Sequence, residues 1–237
     1  MRPFDEIIEL AAERHGGLAA LDAKLASTAS RTPGEIAATP DHRVLSEMTR
    51  RVFQAGFVWS VIDAKWPAFE EAFGGFDPAA CAAMPEERFD ALLKDERIVR
   101  NGAKVRSVIR NAQFVLDLAA AHGSAAALIA RWPDADYVDL LELIKRRGDR
   151  LGGQSGMRLL RNLGKPAFIT TEQVTTALIR EGVVTREPTS RRDLLAVQAA
   201  FNQWSEDSGR DLTAVSRILS MTVGEVRGQP PADLHPA

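Results

Sequence analysis

The sequence has only one cysteine among its 237 residues, and this scarcity excludes several kinds of site. A single cysteine forms no internal disulfide and no cysteine-based zinc cluster. The four histidines are far apart and fall in no metal-ligand spacing; they are His15, His42, His122 and His235. We therefore expect no metal site and no cofactor. Cys81 lies in a small-residue helical turn, and we predict that it is a buried packing residue rather than a nucleophile.

Long apolar runs are also missing. Charged residues interrupt each apolar stretch before it reaches the roughly 20 residues that a membrane-spanning helix needs. No apolar segment follows the N-terminal Met-Arg-Pro-Phe-Asp-Glu, so no secretory signal is visible. A hydrophobic content of 45% with 26% charged residues is typical of a globular protein with a sizeable core. We expect a cytoplasmic protein without membrane contact.

The net charge of −2 gives little reason by itself to expect a nucleic-acid partner, but the basic residues are concentrated. Residues 145–165 contain seven bases and one acid, and residues 97–110 contain five bases and no acid. Such segments can present a positive face to nucleic acid. They can equally be the solvated faces of two helices, and the charge pattern alone leaves both interpretations open.

Apolar residues recur at three- and four-residue spacing over almost the whole length, which predicts an all-α protein of about twelve helices. Helix starts are predicted at Asp77-Pro78, at residues 84–87 and at Ser190 with Asp193 three residues later. A left-handed residue after a helix end is predicted at five glycines: Gly123, Gly148, Gly164, Gly182 and Gly209.

The same pattern predicts the division of the chain. Residues 1–39 are interpreted as a helical extension with a Ser-, Thr- and Pro-rich linker. Residues 40–223 are predicted to form a helical domain with lobes at roughly 40–133 and 134–223. Residues 224–237, rich in Gly and Pro, are predicted to be a flexible tail.

A glycine-rich turn at residues 147–156 joins two predicted helices. Such a turn exposes backbone N–H groups, and the helix that follows adds its positive N-terminal end. The residues Arg150, Gly152, Gly153 and Ser155 are therefore candidates to hold a nucleic-acid backbone without reading its sequence. The alternative is a plain structural turn, because glycine-rich connections between helices are common.

A second segment, residues 52–62, sets an amide among aromatic rings. Gly56 interrupts a helical run at a cost of about 1 kcal/mol, which indicates a kink or a close backbone approach. Gln54 can read the edge of a base while Phe53, Phe57 and Trp59 offer rings for stacking. The alternative is that these aromatic residues belong to the core.

A third segment, residues 95–104, contains an Arg-Asn-Gly turn before a predicted helix. Arg100, Asn101 and Lys104 are candidates to contact phosphates or sugar edges. Alternatively, the turn is only a turn and its cations are solvated.

Taken together, the segments resemble the DNA-3-methyladenine glycosylase I family, within the helix-hairpin-helix DNA glycosylases. The resemblance covers about residues 52–131 and continues more weakly through the glycine turn to Gly164. The motifs that carry it, in order, are Gln54-Ala55-Gly56-Phe57-Val58-Trp59, Phe69-Glu70-Glu71-Ala72-Phe73, Phe76-Asp77-Pro78, Ile98-Val99-Arg100-Asn101-Gly102-Ala103-Lys104-Val105 and Asn111-Ala112.

The resemblance implies an all-α, two-lobed fold that clamps double-stranded DNA as a monomer and flips out a damaged purine. The implied reaction is hydrolysis of the glycosidic bond of an N3-alkylated adenine or a related alkylated purine. A cationic alkylated base is already a good leaving group, so the site needs selection more than activation. The resemblance places Gln54 and Trp59 in the base pocket and Arg100, Asn101 and Lys104 near DNA.

The sequence also departs from the family pattern. Where the family has a carboxylate just before the Gln-Ala-Gly run, this sequence has Arg51, and the nearest acid is Glu47, one helical turn back. The zinc ligands and the N-terminal pocket residues of the family are not recognisable. The family's C-terminal histidine position is occupied by Gln173, beside Glu172.

Glu47 and Glu172 are thus the candidate catalytic carboxylates. The alternatives are that Glu47 only pairs with Arg51 and that Glu172 is only a first-turn helix acid. Because of these departures, a protein that recognises lesions without cleaving them, on the same scaffold, is an alternative function. A helical protein with no nucleic-acid partner is a third.

Overall fold

The computed structural model describes residues 1–224, so all but the first residue of the predicted tail lies outside the described residues. Within that range the chain forms fourteen α-helices, two short 3-10 helices and no strand, which confirms the all-α prediction. The α-helices are α1 (Phe4–His15), α2 (Leu18–Ala26), α3 (Pro33–Ala37), α4 (Asp41–Gln54), α5 (Trp59–Ala72), α6 (Pro78–Ala82), α7 (Glu86–Lys94), α8 (Gly102–His122), α9 (Ala125–Arg131), α10 (Tyr137–Arg147), α11 (Gln154–Asn162), α12 (Glu172–Arg180), α13 (Arg191–Ser208) and α14 (Leu212–Met221). The 3-10 helices are Gly74–Phe76 and Asp134–Asp136.

The chain divides into two compact units. The central unit is residues 30–167, and the terminal unit joins residues 1–29 to the described residues from 168 onward. These bounds differ from the predicted lobes at 40–133 and 134–223 and from the predicted extension at 1–39. An amphipathic pattern shows that a helix has a buried face but not which distant helix covers it, so the pairing of the two chain ends was not visible in the sequence.

The core of the terminal unit unites both chain ends. The rings of Phe4 and Trp204 lie 5.8 Å apart, and those of Phe168 and Phe201 lie 4.7 Å apart. The guanidinium of Arg2 pairs at 2.9 Å with Glu181, whose side chain is buried. Helices α1 and α2 therefore share a core with α12, α13 and α14.

The core of the central unit is a cluster of aromatic rings at α5. Trp66 stacks on Phe69 at 5.1 Å and on Phe76 at 5.6 Å, and Phe73 stacks on Phe76 at 5.3 Å. Phe53 of α4 meets Phe69 edge-on at 4.8 Å. Phe69, Phe73 and Phe76 of the resemblance motifs are thus packing residues, and the contact of Phe69 with Phe53 fixes α4 against α5.

Most predicted helix ends are confirmed. The side chain of Asp77 accepts from the N–H of Ala80, and Ser190 accepts from Asp193. Gly148 is an exception, because its φ is −81° instead of the predicted left-handed value. A Cβ there would lie 2.7 Å from the carbonyl oxygen of Ile144, so Gly148 is needed for close packing rather than for its backbone angle.

Helix α3 lies in a stretch predicted to be a linker. Thr32 accepts from the N–H of Glu35, and the Glu35 carboxylate accepts from the N–H of Thr32. The Thr32 hydroxyl also donates to the Glu35 carboxylate at 2.7 Å, and this hydrogen bond, followed by the one from the N–H of Thr32, lowers the pKa of that carboxyl. Thr-Pro-Gly-Glu is the sequence pattern of this reciprocal capping, so the pattern itself predicts a helix start at this position.

The prediction for Cys81 is confirmed, since its side chain is buried in α6 and its burial raises the pKa of the thiol to about 11. Among residues 1–224 no single helix has the length and apolar composition of a membrane span; the pair α8 and α9 passes only together and is bent by 65°.

Candidate active site

The Gln-Ala-Gly segment forms a tight turn that ends α4 and leads into α5. The N–H of Phe57 donates to the carbonyl of Gln54 at 3.1 Å. Gly56 has a φ of +76°, a left-handed conformation that glycine adopts without strain. The predicted interruption of the helical run is therefore a turn between two helices. Gln54 ends the first helix and Trp59 begins the second, and we call residues 54–59 the aromatic-amide corner.

The amide of Gln54 is buried and oriented by a carboxylate. Only 2% of Gln54 is exposed, and its Nε2 donates to Oδ1 of Asp63 at 2.9 Å. An ionised carboxylate accepts and does not donate, so this contact fixes which end of the amide is nitrogen. The Oε1 of Gln54 is also buried and forms no hydrogen bond with any residue in 1–224. Gln54 thus holds an acceptor that lacks a donor within the described protein.

The indole of Trp59 is partly buried, and guanidinium groups lie over it. The Cζ of Arg158 is 4.7 Å from the ring centroid and that of Arg51 is 5.7 Å away. Arg51 is itself 3% exposed and pairs with Glu47 at 2.7 Å, the pairing considered as an alternative for Glu47. Arg158 belongs to α11, so the helix after the glycine turn reaches the aromatic-amide corner.

Lys104 is placed differently from the predicted phosphate contact. It is 7% exposed, and its ammonium donates to the carbonyls of Phe53 at 3.2 Å and Ala55 at 2.6 Å. A cation there stabilises the C-terminal end of α4. The same Nζ lies 4.5 Å from the ring of Phe57. Lys104 therefore holds the end of α4 next to the ring of Phe57, because its long side chain extends inward from the start of α8.

Phe53 is also placed differently from the predicted substrate contact. Its ring is 0% exposed and packs on Phe69, which is the core position weighed as the alternative. The exposed apolar groups at the corner are instead Phe57, Val58 and Val61, at 41%, 68% and 47% exposure. Phe57 was predicted only as a ring for stacking or for the core, and Val58 and Val61 were not predicted to be site residues, although Val58 lies inside the resemblance motif.

The glycine turn between α10 and α11 is held by a buried asparagine. Asn111 is 0% exposed; its Nδ2 donates to the carbonyl of Asp149 at 3.1 Å, and its Oδ1 accepts from the N–H of Asp149 at 2.7 Å. Leu151, 1% exposed, anchors the tip. The Asn-Ala motif of the resemblance thus supports the turn directly.

The outer face of this turn is polar and open. Arg150, Gly152 and Gly153 are exposed, and Ser155 is partly exposed. Helix α11 starts at Gln154, and its N-cap residue, Gly153, has no side chain to cap it. Its first-turn N–H groups are therefore not covered by a capping side chain, which is the arrangement that binds an anion.

The aromatic-amide corner and the glycine turn are close together in the central unit. Besides the contact of Arg158 with Trp59, Arg150 lies near enough to Lys104 to lower the pKa of its ammonium, after the larger lowering caused by burial. These two contacts bring residues of the glycine turn and of α11 next to the aromatic-amide corner.

The remaining candidates make other contacts within the protein or belong to the terminal unit. Asn101 caps α8 by accepting from the N–H of Lys104, and Arg100 is exposed and pairs with Glu96 at 3.3 Å. Glu172 is exposed in the first turn of α12, in the terminal unit. Its neighbour Thr171 caps that helix, as the alternative interpretation expected.

Much of the concentrated basic charge is paired with acids. Arg97 contacts both Asp95 and Glu71, and the Asp95 contact lowers the pKa of that carboxyl. The further pairs are Arg106–Glu86, Arg110–Asp149, Lys145–Glu142, Arg147–Asp117 and Lys165–Asp134. The two basic segments therefore present less free charge than their composition indicates.

Within residues 1–224 there is a cavity but no cluster of metal-ligating side chains. No group of three or more His, Cys, Asp or Glu side chains within residues 1–224 is arranged to hold a metal ion. A cavity of about 290 Å³ in the terminal unit lies between α2 and the start of α14, where Arg210 pairs with Asp22 at 3.0 Å. None of the predicted site residues lines that cavity.

The chain is similar to known proteins both in sequence and in fold. The sequence model of the methyladenine glycosylase family matches residues 36–142. The DNA-3-methyladenine glycosylase 1 of Escherichia coli K12 is 35% identical over 65 residues, which is 27% of this chain and 35% of that protein. The DNA-3-methyladenine glycosylase of Haemophilus influenzae Rd is 33% identical over 63 residues, 27% of this chain and 34% of that protein. The matched segment thus spans about a third of the length of these relatives.

Among solved structures, the 8-oxoguanine DNA glycosylase of Methanocaldococcus jannaschii has a TM-score of 0.55 and 13% identity, over 91% of this chain and 92% of that chain. That of Thermotoga maritima has a TM-score of 0.51 and 16% identity, over 91% and 94%. At such identities the likeness shows the fold, and it confirms the predicted DNA glycosylase-like architecture. Residues 36–142 are thus similar to the methyladenine glycosylase family.

Proposed function

We propose that this protein is a DNA glycosylase of base-excision repair that flips an alkylated purine out of double-stranded DNA and hydrolyses its glycosidic bond. N3-alkylated adenine is the first substrate to test. The observation that carries the proposal is the contact of Arg158 with Trp59, because it joins the anion-binding turn to the aromatic-amide corner. Backbone binding and base recognition are then within reach of one another.

The glycine turn supplies the grip on the DNA backbone. Arg150, Ser155 and the uncapped start of α11 offer a cation, a hydroxyl and backbone N–H groups to phosphate oxygens. Arg100 and Asn101, at the start of α8, are proposed to extend this contact. Such contacts position the protein on the duplex and carry no sequence information, which suits an enzyme that finds damage anywhere.

The exposed apolar group Phe57, Val58 and Val61 supplies the means of base flipping. An apolar side chain inserted into a base stack replaces part of the stacking energy that is lost when a nucleotide leaves the duplex. Phe57 suits this role because Lys104 lies 4.5 Å from its ring while 41% of the residue remains exposed. Gly56 provides the turn that presents it.

Gln54 and Trp59 supply the recognition of the flipped base. The indole offers a face for stacking, and the unsatisfied Oε1 of Gln54 can accept from a base N–H. Glu47 lies at the same corner and is the proposed carboxylate of the pocket. Glu172 remains the second proposed carboxylate, and Glu47→Gln and Glu172→Gln variants decide between them by their loss of base release.

A base-release assay tests the proposed activity. Folded protein is incubated with methylated duplex DNA and with duplexes that carry one modified purine each, and the free base is quantified by chromatography. Release above the buffer control, with an abasic site left behind, supports the proposal. Lesion-selective binding without release of any base would contradict it and support the non-cleaving alternative.

We propose further that the protein acts as a cytoplasmic monomer. Light scattering during size-exclusion chromatography, with and without a lesion duplex, tests the monomer. A dimer peak at micromolar concentration would contradict it.

A further inference from the structure

The carboxylate of Asp63 holds the side-chain amide of Gln54 in one orientation. Gln54 is 2% exposed, and its Nε2 donates to Oδ1 of Asp63 at 2.9 Å. The last torsion of a glutamine side chain has two broad settings, which exchange the places of its oxygen and its nitrogen. Only the setting with the nitrogen toward Asp63 forms a hydrogen bond, because an ionised carboxylate accepts and does not donate. Asp63 therefore decides which end of the amide is left for another partner.

The end that is left is a hydrogen-bond acceptor. Oε1 of Gln54 is buried and accepts from no residue in 1–224. A buried oxygen without a donor is costly for a folded protein, and such atoms are uncommon in native structures. A ligand that brings an N–H group to this oxygen gains a hydrogen bond, whereas a ligand without such a group gains none.

The oriented amide and the indole belong to the same side of the aromatic-amide corner. Trp59 and Asp63 are four residues apart in α5, so their side chains project from the same face of that helix. Gln54, at the end of α4, contacts this face through Asp63. A purine that stacks on Trp59 can therefore turn its edge toward the amide of Gln54.

Arg51 offers no acceptor of its own beside the indole. Its guanidinium lies 5.7 Å from the ring centroid of Trp59, at the sequence position where the resemblance leads us to expect a carboxylate. A guanidinium has N–H donors and no acceptor. An acceptor for a base N–H must therefore come from another group at the corner, and Oε1 of Gln54 is such a group.

We propose that Asp63 is a positioning residue that turns the oxygen of Gln54 toward the flipped base, so that the pocket prefers an alkylated purine with an exocyclic amino group. The proposal rests on the proposed function and specifies how the pocket recognises N3-alkylated adenine. The amino group of adenine donates to Oε1 of Gln54 while Trp59 stacks on the ring. Asp63 acts on the base only through Gln54.

Calorimetric binding of two free bases tests the proposal. The probes are 3-methyladenine and 3-methylpurine, which lacks the amino group. Wild type is expected to bind 3-methyladenine about tenfold more tightly, the effect of one buried hydrogen bond. Asp63→Lys puts a donor-only group beside the amide and turns it round, so this preference is expected to disappear. The double variant Gln54→Glu with Asp63→Asn exchanges carboxylate and amide, leaves an oxygen for the base, and is expected to keep the preference.

The matched control is Asp207→Lys. The carboxylate of Asp207 also accepts from a glutamine, Nε2 of Gln203 at 2.8 Å, but on the exposed face of α13. This variant is expected to bind both bases as wild type does. If Asp63→Lys does not fold, Asp63→Asn decides, because it allows both settings of the amide and is expected to lower the preference about twofold.

The two bases separate a positioning role from a structural one. Loss of the orientation weakens the binding of 3-methyladenine and not that of 3-methylpurine. Equal weakening of both, or a preference that is unchanged in folded Asp63→Lys, would overturn the role of Asp63 and leave the proposed function standing. The same holds if wild type releases N3-methyladenine from duplex DNA but binds both free bases equally. A wild type that neither binds nor releases N3-methyladenine would overturn both.

Discussion

The two turns at the candidate site differ in whether the protein itself binds the polar groups at the adjoining helix ends. At the aromatic-amide corner, the ammonium of Lys104 caps the last carbonyls of α4, and the amide of Gln54 is tied to Asp63. At the glycine turn, α11 starts without a side-chain cap, and Arg150 is exposed. The first turn is held by several internal hydrogen bonds, which suits shape recognition of a base. The second leaves its polar groups for an outside partner, which suits the backbone of a nucleic acid.

The largest effect is expected on stability, at the buried Asn111 that supports the glycine turn. Asn111→Ala removes both hydrogen bonds to the backbone of Asp149 in a fully buried place, so we expect the free energy of unfolding to fall by about 2–3 kcal/mol. Urea denaturation measures this change. Gln113→Ala, on the exposed side of the same helix, is the control and is expected to change stability by about 0.5 kcal/mol or less. Equal losses in the two variants would show that the glycine turn does not depend on Asn111.

The next effect is the contribution of Lys104 at the aromatic-amide corner to the stability of the protein. Lys104→Met keeps the length of the side chain but leaves the carbonyls of Phe53 and Ala55 without their donor, and we expect a loss of about 1–2 kcal/mol at pH 7. Thermal and urea unfolding at neutral pH measure the difference.

The pH dependence of that difference has a definite sign. Burial, and then Arg150, lowers the pKa of Lys104 in the folded protein, so the unfolded chain binds more protons between the lowered pKa and the ordinary value of 10.5. The part of wild-type stability that belongs to this group therefore rises as pH increases through that window. We expect the stability of wild type relative to Lys104→Met to increase from pH 7 to pH 10, and a decrease would contradict the assigned burial.

The placement of Lys104 and Phe53 shows what sequence patterns could and could not predict. Periodicity and capping signals located most helices, and the motif order located both turns, because these properties are local. Lys104 was predicted to face phosphates, since a sequence does not show that a lysine 49 residues beyond Ala55 reaches back to its carbonyl. Phe53 was predicted to contact substrate for the same reason, because the depth of a ring depends on the helix packed over it.

The exposed ring of Phe57 at the aromatic-amide corner is expected to affect activity and not stability. Phe57→Ala removes an exposed ring, so the unfolding free energy is expected to change little, while release of a modified purine slows by about tenfold. Single-turnover kinetics measure the rate. Leu18→Ala removes a similarly exposed apolar side chain in the terminal unit and is expected to leave the rate unchanged. Equal rates for wild type and Phe57→Ala would remove Phe57 from the flipping step.

The smallest effect concerns the free charge of the glycine turn. Arg150→Gln removes one exposed cation, and we expect the slope of log affinity against log salt concentration to fall by about one. Fluorescence anisotropy with a duplex at several salt concentrations measures the slope. Arg106→Gln is expected to change it less, because Arg106 is paired with Glu86 at 3.3 Å. A slope that is the same for wild type and Arg150→Gln would show that the turn does not contact phosphates.

The division of labour between the two turns is tested most directly by measuring duplex affinity and single-turnover base release together for wild type, Trp59→Ala and Arg150→Gln. Trp59→Ala is expected to keep most of the affinity and lose most of the release, and Arg150→Gln to lose affinity while keeping the release rate on saturated protein. Parallel loss of both quantities in both variants, or no release by wild type from any lesion duplex, would contradict the account.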